Sequence, residues 1–119
     1  MASFNGFGRI HNFNREEIDK YVSSEGGNYR LLKSDGKGNL VVRYVGRAVD
    51  LKRRLKEHIN DSHRYEKFSV RYEPDEVQRY YKECEEYHNW RKVVNLYNER
   101  HPDKPDGCGN RCVCFVCKQ

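Results

Sequence analysis

The stretch that decides the fold is "YVGRAVDLKRRLKEH", residues 44–58. Its first residues are typical of a β-strand that ends near Gly46. Asp50 then stands where a helix N-cap is expected. Behind it, apolar residues recur at every fourth position: Leu51, Leu55 and Ile59. The stretch therefore predicts a strand that is followed at once by a strongly basic amphipathic helix.

The sequence before this stretch predicts a hairpin and a short helix. "NYRLLKSDGKGNLVVRYVG", residues 28–46, contains two β-rich runs around the turn signal "DGKG" at 35–38. Asn14 is the expected N-cap of a helix that stops at "SSEGG", and Glu17 is placed to reach back to it. Residues 1–12 are expected to form an irregular lead-in.

The sequence after the stretch predicts one more strand and a long helix. "KFSVRYE", residues 67–73, alternates like a strand. Pro74 and Asp75 then open a helix that we expect to run to about Arg100, where "HPDKPDG" ends it. Apolar side chains lie near one face of that helix: Val77, Tyr81, Cys84, Tyr87, Val94 and Tyr97. The predicted fold class is α/β (α+β), with a small three-stranded antiparallel sheet flanked by helices.

Size and composition limit the class of protein. The chain has 119 residues, of which 36% are hydrophobic and 34% charged, so we expect one domain with a small core. No apolar run approaches the ~20 residues of a membrane span, and no secretory signal opens the chain. The expected location is intracellular, either cytoplasmic or associated with the nucleoid.

The basic charge is concentrated in one region. Between Arg43 and Arg71 there are nine Lys or Arg and four Asp or Glu, an excess that equals the net charge of +5 for the whole chain. A basic stripe of this kind is typical of proteins that bind a polyanion such as nucleic acid. A lysine-rich surface that serves only solubility remains an equal alternative on charge alone.

The order of several motifs resembles the GIY-YIG nuclease family. "GNY" stands at 27–29 and "YVG" at 44–46, with an arginine ten residues after the second tyrosine. A histidine follows four residues later, and a glutamate lies on a later helix. The resemblance covers roughly residues 26–100. It departs from the family in two places, a longer linker between the tyrosine motifs and a polar Asn28 where an apolar residue is usual.

The resemblance implies a metal-dependent endonuclease that hydrolyses phosphodiester bonds of DNA, with RNA or branched nucleic acid as the alternative substrate. It implies active-site roles for Tyr29 and Tyr44, one of which is usually assigned as the general base, and for a basic residue at Arg47. We expect Arg47, Arg54 and the metal to lower the pKa of that tyrosine. Nicking or cleavage specificity is expected to come from a partner domain or protein, and the oligomeric state is left open.

Arg54 and His58 form the basic part of the implied site. The guanidinium of Arg54 stays charged and can hold two phosphate oxygens in a fork, which a lysine cannot do. His58 lies one helical turn later on the same side, where it would assist proton transfer or hold the phosphate. A further set of basic residues is expected to contact flanking phosphates: Arg43, Lys52, Arg53 and Lys56.

Glu83 is the implied ligand of a catalytic Mg²⁺ or Mn²⁺ ion. Counting without gaps from the end of the third strand places the metal-binding glutamate of the family at this position. Glu85 and Glu86 are competitors on the same helix. One residue rotates a helix by about 100°, so the three carboxylates cannot all face one phosphate.

The cysteine-rich C-terminus predicts a structural zinc site. Four of the five cysteines lie in the last twelve residues, and Cys114 with Cys117 forms a C-x-x-C motif. Cys84 and His88, at i and i+4 on the long helix, are the favoured second half. Cys108, Cys112 and His101 are alternative ligands. Residues 1–100 would then form the nuclease domain, with 101–119 as a zinc-stapled tail packed on it.

Two other functions are compatible with these features. A non-catalytic, zinc-containing module that binds nucleic acid on a nuclease-like frame would keep the basic stripe and the cysteine tail. A redox or metal-handling protein would use the cysteines alone, although a C-x-x-C in a short tail lacks the βαβ setting of thiol oxidoreductases.

Overall fold

The computed structural model describes residues 6–61, 63–108 and 112–117. The elements in this part of the chain are β1 (His11–Asn12), α1 (Arg15–Tyr21), β2 (Gly27–Ser34), β3 (Leu40–Ala48), α2 (Leu51–His58), β4 (Lys67–Tyr72) and α3 (Glu76–Arg91). The outer parts of the predicted lead-in (1–5) and of the predicted tail (109–111 and 118–119) lie outside the described residues.

The strands form one antiparallel sheet in the order β1-β4-β2-β3. The antiparallel sheet flanked by three helices confirms the predicted fold class. The sheet has four strands, however, and the prediction of three is wrong by one. The extra strand pairs His11 with Phe68 and Asn12 with Lys67. Two residues are too few to show a period-2 alternation, so the sequence gives no signal for this strand.

The local start signals of the two shorter helices are confirmed. The side chain of Asn14 accepts a hydrogen bond from the backbone N–H of Glu17 at 2.8 Å. Asp50 caps α2 in the same way, through the N–H of Arg53 at 3.1 Å. Each cap satisfies a backbone donor that the helix itself leaves unpaired. Since β3 ends at Ala48, the second cap makes the chain turn directly from the strand into α2.

The sheet carries a core on each face. Helices α1 and α2 cover one face, where the buried cluster contains Ile18, Val22, Tyr29, Leu31, Leu51, Leu55, Tyr65 and Phe68. Helix α3 covers the other face, where Tyr87 packs with Leu32, Val42 and Val45. Because β3 is an edge strand, side chains from both faces can meet around its free edge.

Helix α3 is shorter than predicted. It ends at Arg91 instead of near Arg100, after which the chain runs back along the edge strand. Asn98 uses its side-chain amide to bond both the N–H and the carbonyl of Val45, at 3.0 and 2.7 Å. These sheet-edge bonds replace helical ones. The preceding Val93 and Val94 are β-branched and favour a helix less than their neighbours do.

The buried face of α3 also differs in part from the apolar pattern. Cys84 and Tyr87 are buried as predicted, but Tyr80 is fully buried where Tyr81 was expected to be. The buried face additionally contains Arg79 and Glu86, whose polar groups are hydrogen-bonded. Paired polar residues can occupy a core face, and an apolar periodicity does not detect them.

Candidate active site and metal-binding group

The glycines of the two tyrosine motifs are required by close packing. A Cβ atom at Gly46 would lie 2.4 Å from Cζ of Tyr29, whose ring crosses the neighbouring strand at that point. A Cβ atom at Gly27 would lie 2.0 Å from the carbonyl oxygen of Arg71. Both distances are far below van der Waals contact. These glycines therefore set the position of the Tyr29 ring and of the strand pair that carries it.

Asn28, the departure from the family pattern, has a structural role. Its side chain is 1% exposed and donates to the carbonyl of Arg79 on α3 at 3.0 Å. It also accepts from the guanidinium of Arg71 on β4 at 3.0 Å. A buried amide with both ends satisfied links the sheet to α3 without an unpaired polar group. The polar residue thus leaves the neighbouring Tyr29 in place on the other face of the sheet.

Tyr29, Tyr44 and His58 form one aromatic cluster between β2, β3 and α2. The rings of the two tyrosines are stacked with centroids 6.1 Å apart, and the ring of His58 lies 4.9 Å from that of Tyr44. The Tyr29 hydroxyl lies 2.8 Å from Nε2 of His58. The two strands and the helix predicted from residues 28–58 therefore bring these three side chains together.

Asp61 extends this cluster. Its carboxylate lies 3.5 Å from Nδ1 of His58, a residue that is itself 7% exposed. A proton on Nδ1 would face Asp61, which leaves Nε2 as the acceptor for the Tyr29 hydroxyl. Burial, together with the charge of Arg54, lowers the pKa of His58, so the imidazole is neutral near pH 7. Asp61 was not predicted from the sequence, although its position three residues after His58 places it within reach.

Arg54 lies beside both tyrosines on the first turns of α2. It interacts with Tyr29 and Tyr44, and its Nη1 donates to Glu57 at 2.9 Å. Burial raises the pKa of both tyrosines, and Arg54 lowers it only in part, which is the direction expected of a cation. The guanidinium of Arg47 is bound to Glu83 and to the backbone carbonyl of Asp103.

Glu83 lies on α3 with its carboxylate 12% exposed and ion-paired with Nη1 of Arg47. Arg47 also donates from Nη2 to the backbone carbonyl of Asp103 at 2.6 Å. Burial raises the pKa of Glu83, while the charge of Arg47 lowers it to a lesser extent. A carboxylate that is neutralised only in part has a free-energy incentive to bind a further cation.

The two competing glutamates are directed elsewhere. Glu85 is exposed and pairs with Lys82 at 2.6 Å. Glu86 is 2% exposed and forms a two-point ion pair with Arg30 on the far side of the helix. Of the three carboxylates, only that of Glu83 opens toward the arginine and tyrosine described above.

A polar cleft of about 630 Å³ opens at the β3 edge of the sheet. Tyr44 from β3, Arg54 from α2 and Glu83 from α3 line it, and residues 97–103 form its outer wall. Tyr29 and His58 lie directly behind Tyr44, and Arg47 holds Glu83. The structure therefore brings all six predicted catalytic residues to one place, three of them on the cleft surface.

The four residues that were predicted to contact nucleic acid differ in their surroundings. Arg43 donates to the backbone carbonyl of Asn95 at 3.0 Å, and Lys56 pairs with Asp19 on α1. Both side chains therefore hold parts of the fold together. Arg53 is exposed and Lys52 is half-buried on the outer side of α2.

Four side chains near the C-terminus form a group with the composition of a metal site, which we call the Cys/His group. Its members are His88, His101, Cys114 and Cys117, and their ligand atoms all lie within 4.8 Å of one another. Nε2 of His88 is buried and has no hydrogen-bond partner among the described residues. Nδ1 of His101 faces the carbonyl of Pro102 at 2.9 Å, which leaves its Nε2 free for a metal, 3.4 Å from the Cys117 sulfur.

The Cys/His group differs from the favoured zinc ligand set in one member. Cys84 lies outside it, and His101, which was named only as an alternative, takes its place. Cys84 is 1% exposed and packs in a cluster with Tyr80 and Cys108. His101 reaches the group because the chain after α3 folds back. Its signal in the sequence was its position between the long helix and the C-x-x-C motif.

No helix among the described residues is long and apolar enough to cross a membrane. Among curated proteins and among solved structures, none matches the chain significantly. The GIY-YIG catalytic domain family matches residues 25–101, which is more than half of the chain and includes both tyrosine motifs, Arg54 and Glu83. The chain therefore belongs to the GIY-YIG family.

Proposed function

We propose that this protein is a metal-dependent endonuclease that nicks or cleaves DNA. Family membership supports a nuclease, which is a phosphodiester hydrolase acting on nucleic acid. Beyond that, we propose that the reaction requires a divalent metal and that the substrate is DNA. We also propose a role for each residue of the cleft. The observation that carries the proposal is the convergence of Tyr44, Arg54 and Glu83 on one polar cleft from three different elements.

The cleft fits a Mg²⁺ or Mn²⁺ ion held by Glu83. Mg²⁺ keeps several of its waters and is usually bound by one or two carboxylates together with substrate phosphates. Glu83 offers a carboxylate at the surface of a polar cleft with room for such a hydrated ion. The metal would supply charge stabilisation for the transition state and for the leaving oxygen. Arg47 would keep its bond to Asp103 and share or release Glu83.

Arg54 is the proposed phosphate-binding residue. Its side chain is 42% exposed and lines the cleft, so two of its nitrogens can approach the oxygens of a scissile phosphate. The charge that develops there in the transition state is stabilised by a donor that is already in position. The neighbouring Arg53 and Lys52 would contact phosphates farther along the strand.

Tyr44 is the proposed contact of the attacking water, because it lines the cleft and Tyr29 does not. The charge of Glu83 raises the pKa of Tyr44, and that of Arg54 lowers it. A cation bound at Glu83 would remove the first effect and leave the second. Tyr29 would hold the Tyr44 ring by stacking and His58 would hold it by a tilted ring contact, with Asp61 orienting the imidazole.

We further propose that the Cys/His group binds a structural Zn²⁺ ion. Two cysteine sulfurs and two imidazole nitrogens are a common ligand set for tetrahedral zinc. His101 also lies in the wall of the cleft, so the ion would fix residues 97–103 against α3. Residues 101–119 would in this way be a zinc-stapled tail on the nuclease domain of residues 1–100.

The test is a plasmid-nicking assay with the purified parent, Arg54→Ala and Arg53→Ala. We expect the parent to nick in Mg²⁺ or Mn²⁺ and to stop when a chelator is added. Arg54→Ala should lose about 10²–10³-fold in rate because it removes a preformed donor to the transition state. Arg53→Ala is the matched control, one position away and exposed, and should lose only a few-fold through weaker DNA binding.

Equal rates for Arg54→Ala and the parent, with no effect of the chelator, would refute the enzymatic proposal. A parent that shifts DNA with a steep salt dependence but leaves it intact in either metal would instead be the non-catalytic binding module.

A further inference from the structure

Three of the five cysteines remain outside the Cys/His group: Cys84, Cys108 and Cys112. All three belong to one buried cluster with Tyr80 and with Cys114, which is also a member of the Cys/His group. The exposed fractions of these four cysteines are 1%, 6%, 0% and 0%. We call the four the sulfur cluster. Cys114 is therefore a member of both sets and lies between them.

Two pairs of sulfurs inside the sulfur cluster lie close to each other. Cys108 and Cys112 are joined by a disulfide, with their Cα atoms 5.7 Å apart. The thiols of Cys84 and Cys114 are within hydrogen-bonding reach of each other. Sulfurs from α3 and from the tail thus lie together in one buried cluster.

The Tyr80 hydroxyl is a buried donor without a strong acceptor beside these sulfurs. It is buried and has no hydrogen-bond partner of the usual kind among the described residues, and its interaction is with the Cys84 sulfur. A thiol is a weak acceptor, whereas a metal-bound thiolate is a strong one. Donors that point at ligand atoms are a regular part of metal sites. The hydroxyl would be fully satisfied if Cys84 were a thiolate ligand.

The number of ligands fits two ions. Each tetrahedral zinc needs four ligands, and a thiolate sulfur has enough lone pairs to bridge two ions. Two ions that share one thiolate therefore need seven residues. The two sets together contain five cysteines, His88 and His101, which are seven residues with Cys114 as the shared member.

We propose that reduction of the Cys108–Cys112 disulfide opens a second Zn²⁺ site, formed by Cys84, Cys108 and Cys112 and bridged to the first ion by Cys114. A dithiol reductant would supply two electrons and two protons, becoming a disulfide and leaving both cysteines as thiols. Metal binding would then release the thiol protons to solvent. The proposal rests on the proposed zinc site and is independent of the nuclease activity.

The test counts ions in the intact protein. The protein is reduced with a dithiol, freed of it by gel filtration under argon, saturated with Zn²⁺, cleared of loosely bound metal and measured by native mass spectrometry. We expect two ions for the reduced parent, and one for the oxidised parent and for the double variant Cys108→Ser with Cys112→Ser. One ion in the reduced parent, or two in the double variant, would overturn the proposal.

A titration with Co²⁺ provides a second measurement that needs no variant. The first equivalent should bind to two sulfurs and two nitrogens, and the second to four sulfurs, so the second should add about twice the thiolate charge-transfer absorption of the first. An absorption that saturates at one equivalent in the reduced parent contradicts the second site. Absence of any bound metal would instead refute the first zinc site as well, while leaving the nicking assay unaffected.

Discussion

Helix α3 carries two glutamate–arginine pairs that contain the same residue types and differ in almost every physical property. Glu86 receives both Nε and Nη2 of Arg30 and, at 3.2 Å, the indole N–H of Trp90. Among the described residues, the hydrogen bond to Glu83 comes from Nη1 of Arg47. Glu86 therefore accepts three hydrogen bonds, whereas Glu83 has more capacity for a further partner.

The surroundings of the two pairs differ as much as their donors. The guanidinium of Arg30 lies 4.0 Å from the ring of Phe7, and its carboxylate partner is 2% exposed. Glu83 lines the polar cleft, and the second nitrogen of its arginine binds a backbone carbonyl. We call Arg30–Glu86 the closed pair and Arg47–Glu83 the open pair. The closed pair holds α3 on the sheet, whereas in the open pair the carboxylate can exchange its arginine for another cation.

The largest expected effect is on the open pair. Glu83→Gln keeps the size of the side chain and removes its charge, so it should abolish metal binding in the cleft and reduce DNA nicking on the order of 10³-fold or more. The melting temperature should change little. The rate is measured by plasmid nicking at saturating Mg²⁺ or Mn²⁺, and metal binding by calorimetry.

Glu85→Gln is the matched control for this substitution, since Glu85 is exposed and two positions away. It should nick like the parent. If Glu83→Gln also nicks like the parent, the open pair is not a metal site and the distinction between the two pairs has no catalytic meaning.

The same substitution in the closed pair should act on stability instead. Glu86→Gln leaves the buried guanidinium of Arg30 without its counter-charge, which typically costs about 3–5 kcal/mol of unfolding free energy. Nicking per folded molecule should be retained. Urea denaturation followed by circular dichroism measures the unfolding free energy. The nicking rate divided by the concentration of folded protein measures the activity.

Replacing both partners should remove that penalty. Arg30 also lines an apolar pocket with Phe7 and Leu32, so Arg30→Met combined with Glu86→Leu should be about as stable as the parent. A double variant that is as unstable as Glu86→Gln would show that the pair contributes more than mutual neutralisation.

The sequence predicted the part of the site that depends on short-range geometry. Tyr44, Arg54 and His58 lie in one strand, one capped turn and one helix, so their spacing along the chain fixes their spacing in space. The pairing of Tyr29 with Gly46 follows from the hairpin in the same way. These local elements are set by caps and turn residues that a sequence displays directly.

The part that the sequence did not predict depends on the path of the chain after α3. The return of the chain after Arg91 brings His101 to the Cys/His group and Asp103 to Arg47. Neither contact has a periodic signal, because both are made by single residues in an irregular segment. The same holds for the closed pair, whose charged residues are buried where an apolar pattern assigns only apolar ones.

A smaller effect concerns the pH dependence of the open pair. The pKa of Glu83 is raised, mainly by burial, above the ordinary value of 4.5. A carboxyl group with a raised pKa in the folded state binds more protons when folded. Its stabilising contribution is thus full below pH 4.5 and is lost as the pH rises through the folded pKa.

In metal-free protein, the unfolding free energy of the parent should therefore fall relative to that of Glu83→Gln as the pH rises from below 4.5 toward neutrality. The apparent affinity for Mg²⁺ should change in the opposite direction and weaken by at most about tenfold per pH unit on acidification, because the ion must displace the proton. Parallel urea midpoints of the two proteins at all pH values would contradict a buried titrating carboxyl at this position.

The smallest expected effect concerns the third donor of the closed pair. Trp90→Phe keeps an aromatic ring over Arg30 and removes the indole N–H that reaches Glu86, so it should cost about 1–2 kcal/mol, from one hydrogen bond to a charged group and some lost area. Since Trp90 is the sole tryptophan of the chain, unfolding is followed by circular dichroism. In the background of Arg30→Met and Glu86→Leu, Trp90→Phe should lower the unfolding free energy only by the contribution of the lost buried area. An equal cost in both backgrounds would mean that the indole acts through packing alone, and that Glu86 is held by its arginine as Glu83 is.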